Sequence, residues 1–381
     1  MRAQVDRLLA LPFAKLTSHD GQIVFVIDAL DECSDQIRLA ELIDTLADFK
    51  CPLPVKFLLT SRPEMYIRRT PISNPNFSSI LQLHTVDIAQ VEADLCFYIE
   101  ETLARASGSI LWYTKRDIEA LAQRSSGLFI FASTVLKYIL DRDNDDGRKD
   151  RLRKVTNTVS RGAAASAALD QVYELVLIEA SRPDKVDSDE LEDMKSVLAC
   201  ILTAREPLSI TALSDLIEIS AASLRGALDR LHSLVYIPDD NSEPGIRTLH
   251  ASFGDYLFDR AASQIRIPTT LGQDILARGC LHRMARDDLC FNISRSRSSF
   301  EPNSYGPPDW IPLALLYACL HWAHHLKAAS KSSVFDQKVD QMLQQKLLFW
   351  LEVLSVLKKL SVASSLLRIA CSVVSLSFNA A

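Results

Sequence analysis

No glycine in this 381-residue chain is followed by lysine, and the chain has only eleven glycines. The loop G-x-x-x-x-G-K-[ST], which cradles nucleotide phosphates with backbone N–H groups and a lysine, is therefore missing from the sequence. Eleven Gly and 15 Pro are few turn residues for this length, which favours helices. Cysteine pairs at metal spacing are also missing. The eight Cys stand at 33, 51, 96, 200, 280, 290, 319 and 371, and no two lie within three residues. Cys96, Cys200 and Cys319 sit in apolar helical contexts and read as buried thiols in a reducing compartment. A basic excess is absent too. Net charge is −6 and the pI is about 5.8, which argues against a general nucleic-acid surface. Nor is there a long apolar run. The segment 366–378 is too short to span a bilayer and contains Arg368, and residues 1–11 carry Arg2, Asp6 and Arg7 instead of a signal-peptide core. With 48% hydrophobic and 24% charged residues, the expectation is a soluble, cytoplasmic protein of two or three domains.

What is present begins with Ile23-Val24-Phe25-Val26-Ile27, followed at once by Asp28, Asp31 and Glu32. A continuous apolar run of this length fits a strand buried on both faces of a parallel sheet. The acids then stand at its carboxyl end, where open α/β sheets bind ligands. Two readings fit. One is a Walker B element, in which Asp28 holds Mg²⁺ and a later acid polarises water. The other is a buried strand whose acidic turn caps the next helix. A second apolar run, Val55 to Leu59, ends in Thr60-Ser61-Arg62-Pro63. Between the two, residues 36–49 carry apolar residues at helical spacing. Strand, helix, strand predicts a βαβ unit with the two strands parallel and with Asp28 and Arg62 at the same end.

At this point the chain resembles a family. DALDEC followed by TSRPE is similar to the NACHT domain of STAND-type signalling NTPases, in the form abundant in mushroom-forming fungi. Matching segments continue in the family's order: Leu83-His84-Thr85-Val86-Asp87, then Arg124 to Ala132, Leu249 to Leu257, and Leu289 to Ile293. The resemblance implies catalytic acids Asp31 and Glu32, a metal ligand Asp28, and nucleotide contacts from Arg62 and from His250. The cofactors it implies are ATP or ADP with Mg²⁺. Its implied partners are proteins, either copies of itself or related NACHT proteins, with no nucleic acid and no membrane. The family's phosphate loop precedes Walker B, and only Gly21 stands among the residues before Ile23. The expectation is a NACHT protein beginning partway through its nucleotide-binding domain, by true truncation or as a fragment of a longer gene. This chain alone is then expected neither to bind nor to hydrolyse ATP. The alternative is a non-catalytic helical adaptor.

The expected fold is an α/β remnant of a P-loop NTPase with a parallel sheet, followed by mostly α-helical domains that include a winged helix. Residues 1–145 form the partial nucleotide-binding domain with its helical lid, 146–260 the winged-helix region and 261–381 a helical domain. Residues 2–11 read as a helix closed by Pro12, 63–79 as loop, and 80–83 as a third strand. Helices follow over 89–105, 117–125 and 128–140, and the charged segment 141–154 reads as a linker. Relatives in plants and animals carry Gly-Leu-Pro where this chain has Phe129 after Gly127-Leu128. Phe129 and Phe131 are read as core. The pattern is helical over 167–177 and 191–202, again over 207–213 with Ser209 as N-cap, and over 221–231; helices followed by a hairpin around 239–245 give the winged-helix order, with 221–231 as its third helix. With so few cations on its third helix it is read as a clamp, not a DNA reader. His250 has two readings: a phosphate contact, as the resemblance implies, or a helix-capping or core residue beside Phe253, Tyr256 and Leu257. His321 and His325 have i, i+4 ligand spacing but no third ligand, so they read as core and surface. Arg283, Arg286, Arg295 and Arg297, with Asp287 and Asp288 among them, read as a solvated face. Residues 334–359 read as one helix.

Overall fold

The structure is a computed structural model that describes residues 2–15, 22–33, 35–50, 53–62, 67, 87–108, 111–142, 144–160, 164–182, 187–238, 245–262, 265–298 and 309–374. The chain divides into two compact units, Met1–Asp87 and Ile88–Ala381. The expected third strand at 80–83 and most of the loop at 63–79 lie outside the described residues.

In the first unit, β1 (Ile23–Ile27) pairs in parallel with β2 (Val55–Leu59), in register from Ile23↔Val55 to Ile27↔Leu59. Helix α2 (Gln36–Ala47) is the crossover, and the Asp35 side chain caps it by accepting the Arg38 N–H at 3.1 Å. Its buried stripe is Leu39, Ile43 and Leu46. Phe25 and Phe57, at the same register position, stack with ring centroids 5.5 Å apart, and Phe13 and Phe49 meet them edge-on.

Two expectations fail here. Among the described residues the sheet is covered on one face: Val24, Val26 and Leu58 on the other are 52%, 63% and 55% exposed. A run of apolar residues cannot report which face a helix reaches: Leu39 and Ile43 of α2 pack with Ile27 and Leu59, and Phe13 meets Phe25, all on one side. Pro12 does not end the first helix either. Helix α1 runs through Arg2–Val5, a π turn at Asp6–Ala10 and Leu11–Ala14. Proline lacks an N–H and crowds the carbonyl four residues back, and a π turn just before it gives that carbonyl room.

The second unit is helical around one continuous core that runs from Leu95 to Val374. Helix α3 (Ile88–Ala106) buries Leu95, Ile99 and Leu103 completely. Helix α4 (Lys115–Ser125) starts with a Thr114/Asp117 capping box. Ser126 and Gly127, with φ of 48° and 83°, separate it from α5 (Phe129–Leu140). Phe131 is core, but Phe129 is 45% exposed and lies against Tyr98. The two phenylalanines are two residues apart, so a helix turns them to different sides.

The expected linker is a helix, α6 (Asp145–Thr158), capped by Asn144. Its charges do not all face water. Arg151 is only 7% exposed, and it reaches Asp141 at 2.6 Å and Glu179 at 3.1 Å. Glu179, on α7 (Ala165–Ala180), also receives the Tyr138 hydroxyl at 2.5 Å and pairs with Arg142 and Lys154. Composition read this segment as solvated, whereas the ions are spent on holding α5, α6 and α7 together.

Next come α8 (Ser188–Thr203), α9 (Ile210–Ile217) and α10 (Ala221–Asp229), the last two capped by Ser209 and Ser220. Strands β3 (Val235–Tyr236) and β4 (Arg247–Thr248) are antiparallel, and Leu208 bridges to Ile246 beside them. A Cβ on Gly245 would come within 2.7 Å of the Leu208 backbone, so this approach requires glycine. Helix α11 (Ala251–Asp255) follows and continues as a π turn to Arg260.

The last block packs α12 (Leu271–Ala285) between α8 and α13 (Leu313–Ala328). The single helix expected over 334–359 is two, α14 (Ser333–Gln345) and α15 (Leu347–Val356), broken at Lys346. Its Nζ reaches the carbonyls of Arg286 and Leu289. The arginine cluster is a solvated face except at one residue, with Arg295, Arg297 and Asp287 exposed. Arg283 is 3% exposed and is clamped by Asp215 at 2.7 Å and by Asp288 at 2.5 Å. The interleaved Asp288, itself 44% exposed, is the partner of this buried arginine. Among the described residues no helix is long and apolar enough to cross a membrane.

Candidate functional site

The parallel register brings Asp28, Asp31, Glu32 and Arg62 to one end of the first unit's sheet. Asp28 is exposed at the tip of β1, and its carboxylate accepts the Thr60 hydroxyl from the tip of β2. The same hydroxyl accepts the Ala29 N–H at 3.1 Å. Ala29 is left-handed, with φ 55° and ψ 48°. A non-glycine residue there costs on the order of 1–3 kcal/mol and is held only where its surroundings demand it. Three contacts supply that demand: the Thr60 hydroxyl, the Leu30 N–H bond to the Thr60 carbonyl at 3.0 Å, and burial of Leu30 against Leu39, Ile43 and Ile67.

The reversal at Ala29 swings the next acid towards β2. Asp31 accepts the Arg62 N–H at 2.9 Å and the Ser61 hydroxyl at 3.4 Å, and it stands 3.5 Å from Arg62 Nε. Its side chain is 12% exposed, against 49% for Arg62. Glu32 is exposed on the same 3-10 turn. The strand-tip reading thus holds in its geometry, with Asp31 and Arg62 engaged with each other. Sequence reasoning gave Thr60 and Ser61 no role. Their signal was two hydroxyl residues directly before the arginine.

His250 belongs to the second unit. It is the N-cap of α11: Nδ1 accepts the Ser252 N–H at 3.2 Å and lies 2.6 Å from the Ser252 hydroxyl. That hydroxyl is 2.9 Å from the Tyr173 hydroxyl, whose ring packs on Phe253 and Tyr256. Receiving the backbone N–H fixes Nδ1 as an acceptor, so the neutral ring carries its proton on Nε2.

Among the described residues no group of three or more His, Cys, Asp or Glu is arranged to hold a metal ion. His325 is fully buried, with Nε2 2.7 Å from the Tyr317 hydroxyl and Nδ1 2.7 Å from Gln273 Oε1. Cys200, Cys280 and Cys319 are buried, and burial pushes their thiols up, away from nucleophilic character.

Residues 1–62 match the family described as Nephrocystin 3, N-terminal, a span that ends on Arg62 and includes every strand-tip residue above. The chain is also similar to the vegetative incompatibility protein HET-E-1 of Podospora anserina. The two are 25% identical over 373 residues, which cover 88% of this chain and 25% of that protein. The chain therefore spans about a quarter of that relative's length. No solved structure matches it. The two matches support a NACHT-related family.

Proposed function

We propose that this chain is part of a NACHT-type STAND signalling module, a nucleotide-dependent switch that acts through protein partners in the cytosol. The observation that carries this reading is the strand tip. Two parallel strands bring Asp28, Glu32 and an Asp31–Arg62 pair to the carboxyl end of the sheet, where such modules bind nucleotide. In this reading Asp28 is the Mg²⁺ ligand and Glu32 the acid beside the water. Asp31 aims Arg62, which senses the terminal phosphate, and His250 is the clamp contact to the nucleotide. Helices α8 to α10 with the hairpin form a winged helix that serves as an intramolecular clamp.

The residues present fit only part of the cofactor. Mg²⁺ keeps several waters and takes one or two carboxylates together with substrate phosphates, which suits Asp28. The triphosphate does not fit. Three carboxylates stand within five residues, the nearby guanidinium is paired with one of them, and the sequence has no phosphate loop. No hydrolytic step follows for this chain alone.

A second reading is a helical adaptor without nucleotide chemistry. It is favoured by the continuous core from Leu95 to Val374, which needs no ligand to be complete.

A chimera tests the first reading. Residues 1–62 replace the corresponding segment of HET-E-1, and the incompatibility response is scored. The response should survive the exchange and be lost when Asp28→Ala or Arg62→Ala is added. A folded chimera that responds equally well with both substitutions favours the adaptor.

A further inference from the structure

In the connection from α12 to α13, serine and arginine alternate: Ser294-Arg295-Ser296-Arg297-Ser298. Arg295 and Arg297 are exposed, and Ser296 between them is half-buried. Arg295 is left-handed, with φ of 53°, and its guanidinium lies over the Trp310 ring, 4.6 Å from the centroid. Ser294 ties the stretch to α15. Its N–H and its hydroxyl both donate to Glu352 Oε1, at 3.0 and 2.6 Å. The Ser296 Oγ is 3.1 Å from the Ser294 Oγ. A serine hydroxyl has one proton, and the carboxylate takes the one on Ser294. Ser296 is therefore the donor between the two hydroxyls.

We propose that Ser296 is a phosphorylation site for a serine kinase whose substrate cleft is acidic and reads arginine next to the serine. Such kinases select by charge pattern, and Ser296 has a guanidinium on either side. The kinase moves the γ-phosphoryl group of MgATP onto Ser296 Oγ. An O–P bond forms, the bridging bond to the β-phosphate breaks, ADP leaves, and the hydroxyl proton passes to a carboxylate of the kinase. The modified oxygen has no proton to give Ser294. A phosphate of about −1.5 to −2 charge then stands beside the donors that Glu352 holds, and the two anions repel. Arg295 and Arg297 are its neighbours in the chain and pair with it. The stretch thus exchanges its tie to α15 for one between phosphate and arginine. None of the residues assigned to nucleotide takes part, so this site stands or falls apart from the switch reading.

The full chain is incubated with MgATP and a recombinant kinase specific for arginine–serine dipeptides, and mass spectrometry locates the phosphate. Ser296 should be modified, and replacing both neighbours, Arg295→Ala and Arg297→Ala, should slow the modification roughly tenfold or more. Ser298 also follows an arginine, so hydrogen exchange is followed in Ser298→Ala before and after phosphorylation. The Ser294 amide should exchange about tenfold faster once Ser296 carries phosphate, because it loses its carboxylate. Adding Glu352→Gln removes the repelling charge, and phosphorylation should then change the rate less than about twofold. Circular dichroism confirms that each variant is folded. A Ser296 left unmodified overturns the proposal. So does a phosphorylated Ser296 with the Ser294 exchange rate unchanged, or an equal acceleration in Glu352→Gln.

Discussion

Asp31 and Arg62, the acid and the arginine at the tips of neighbouring strands, are joined twice: backbone N–H to carboxylate at 2.9 Å and Nε to carboxylate at 3.5 Å. The two bonds differ in weight. The first is charge-assisted and made by a carboxylate only 12% exposed, whereas the second involves a half-exposed guanidinium that water competes for.

Asp31→Asn should therefore destabilise the first unit by about 1–2 kcal/mol, while Arg62→Ala, which keeps the backbone bond, should cost under about 1 kcal/mol. Urea unfolding followed by hydrogen exchange within residues 22–62 reads both. Equal losses would place the weight on the guanidinium.

Ala29 is the second test of the strand tip. Its φ of 55° is natural to glycine. Ala29→Gly should be neutral or stabilise by up to about 1 kcal/mol, and Ala29→Val should cost about 2 kcal/mol or more. Thermal melts of the three proteins order them. A valine variant as stable as the parent would refute the left-handed turn.

Much of this region was legible in advance. Five apolar residues running into Asp28 gave the strand and its end, and the helical spacing over 36–49 gave the crossover and hence the parallel pairing. The exposure of Val24 and Val26 against the covered Phe25 was not legible, because every residue in that run is apolar. The charged segment 141–154 misled for the opposite reason. Density of charge says nothing about partners distant in sequence, and the partner of Arg151 is Glu179. Arg283 misled in the same way, since one of its acids is Asp215 on another helix. The sequence around His250 fits two readings, and its capping bond to Ser252 depends on a backbone angle that no residue pattern announces.

The second unit should lose stability in acid in two stages. Burial pushes His325 down to about 3 and His321 to about 4; Arg205 and the neighbouring histidines add to this, while Glu206 beside His321 opposes it without outweighing burial. Both then fold as neutral rings. Their contribution is complete above the unfolded value of about 6.5 and is lost as pH falls from there towards the folded values. Burial alone raises Glu179, but the Tyr138 hydroxyl and the charges of Arg151 and Lys154 outweigh it and hold the carboxyl at about 2. Its contribution is present above about 4.5 and is lost below that. Denaturant midpoints between pH 8 and pH 3 should show a first decline below about 6.5 that weakens in His325→Gln, and a second below about 4.5 that weakens in Glu179→Gln. A midpoint flat between pH 7 and pH 5 would contradict the histidine assignment.

Two glycines in α12 should resist a change that usually helps a helix. Gly→Ala in a helix interior ordinarily stabilises by about 1 kcal/mol. Here a Cβ on Gly272 would collide with the Ala199 carbonyl of α8, and one on Gly279 with the Leu216 carbonyl of α9. Each substitution should instead destabilise by about 2–3 kcal/mol, as overpacking against backbone does. Unchanged melting temperatures would mean that these helices pack less closely.

The most direct test of the account is a titration of the purified chain with a fluorescent ATP analogue in the presence of Mg²⁺. A strand-tip site without a phosphate cradle should give no saturable signal up to about 1 mM analogue, where even a weak specific site worth about 4 kcal/mol is half filled. Saturable, Mg²⁺-dependent binding that disappears in Asp28→Ala would contradict it, and would show that these residues hold nucleotide without the loop.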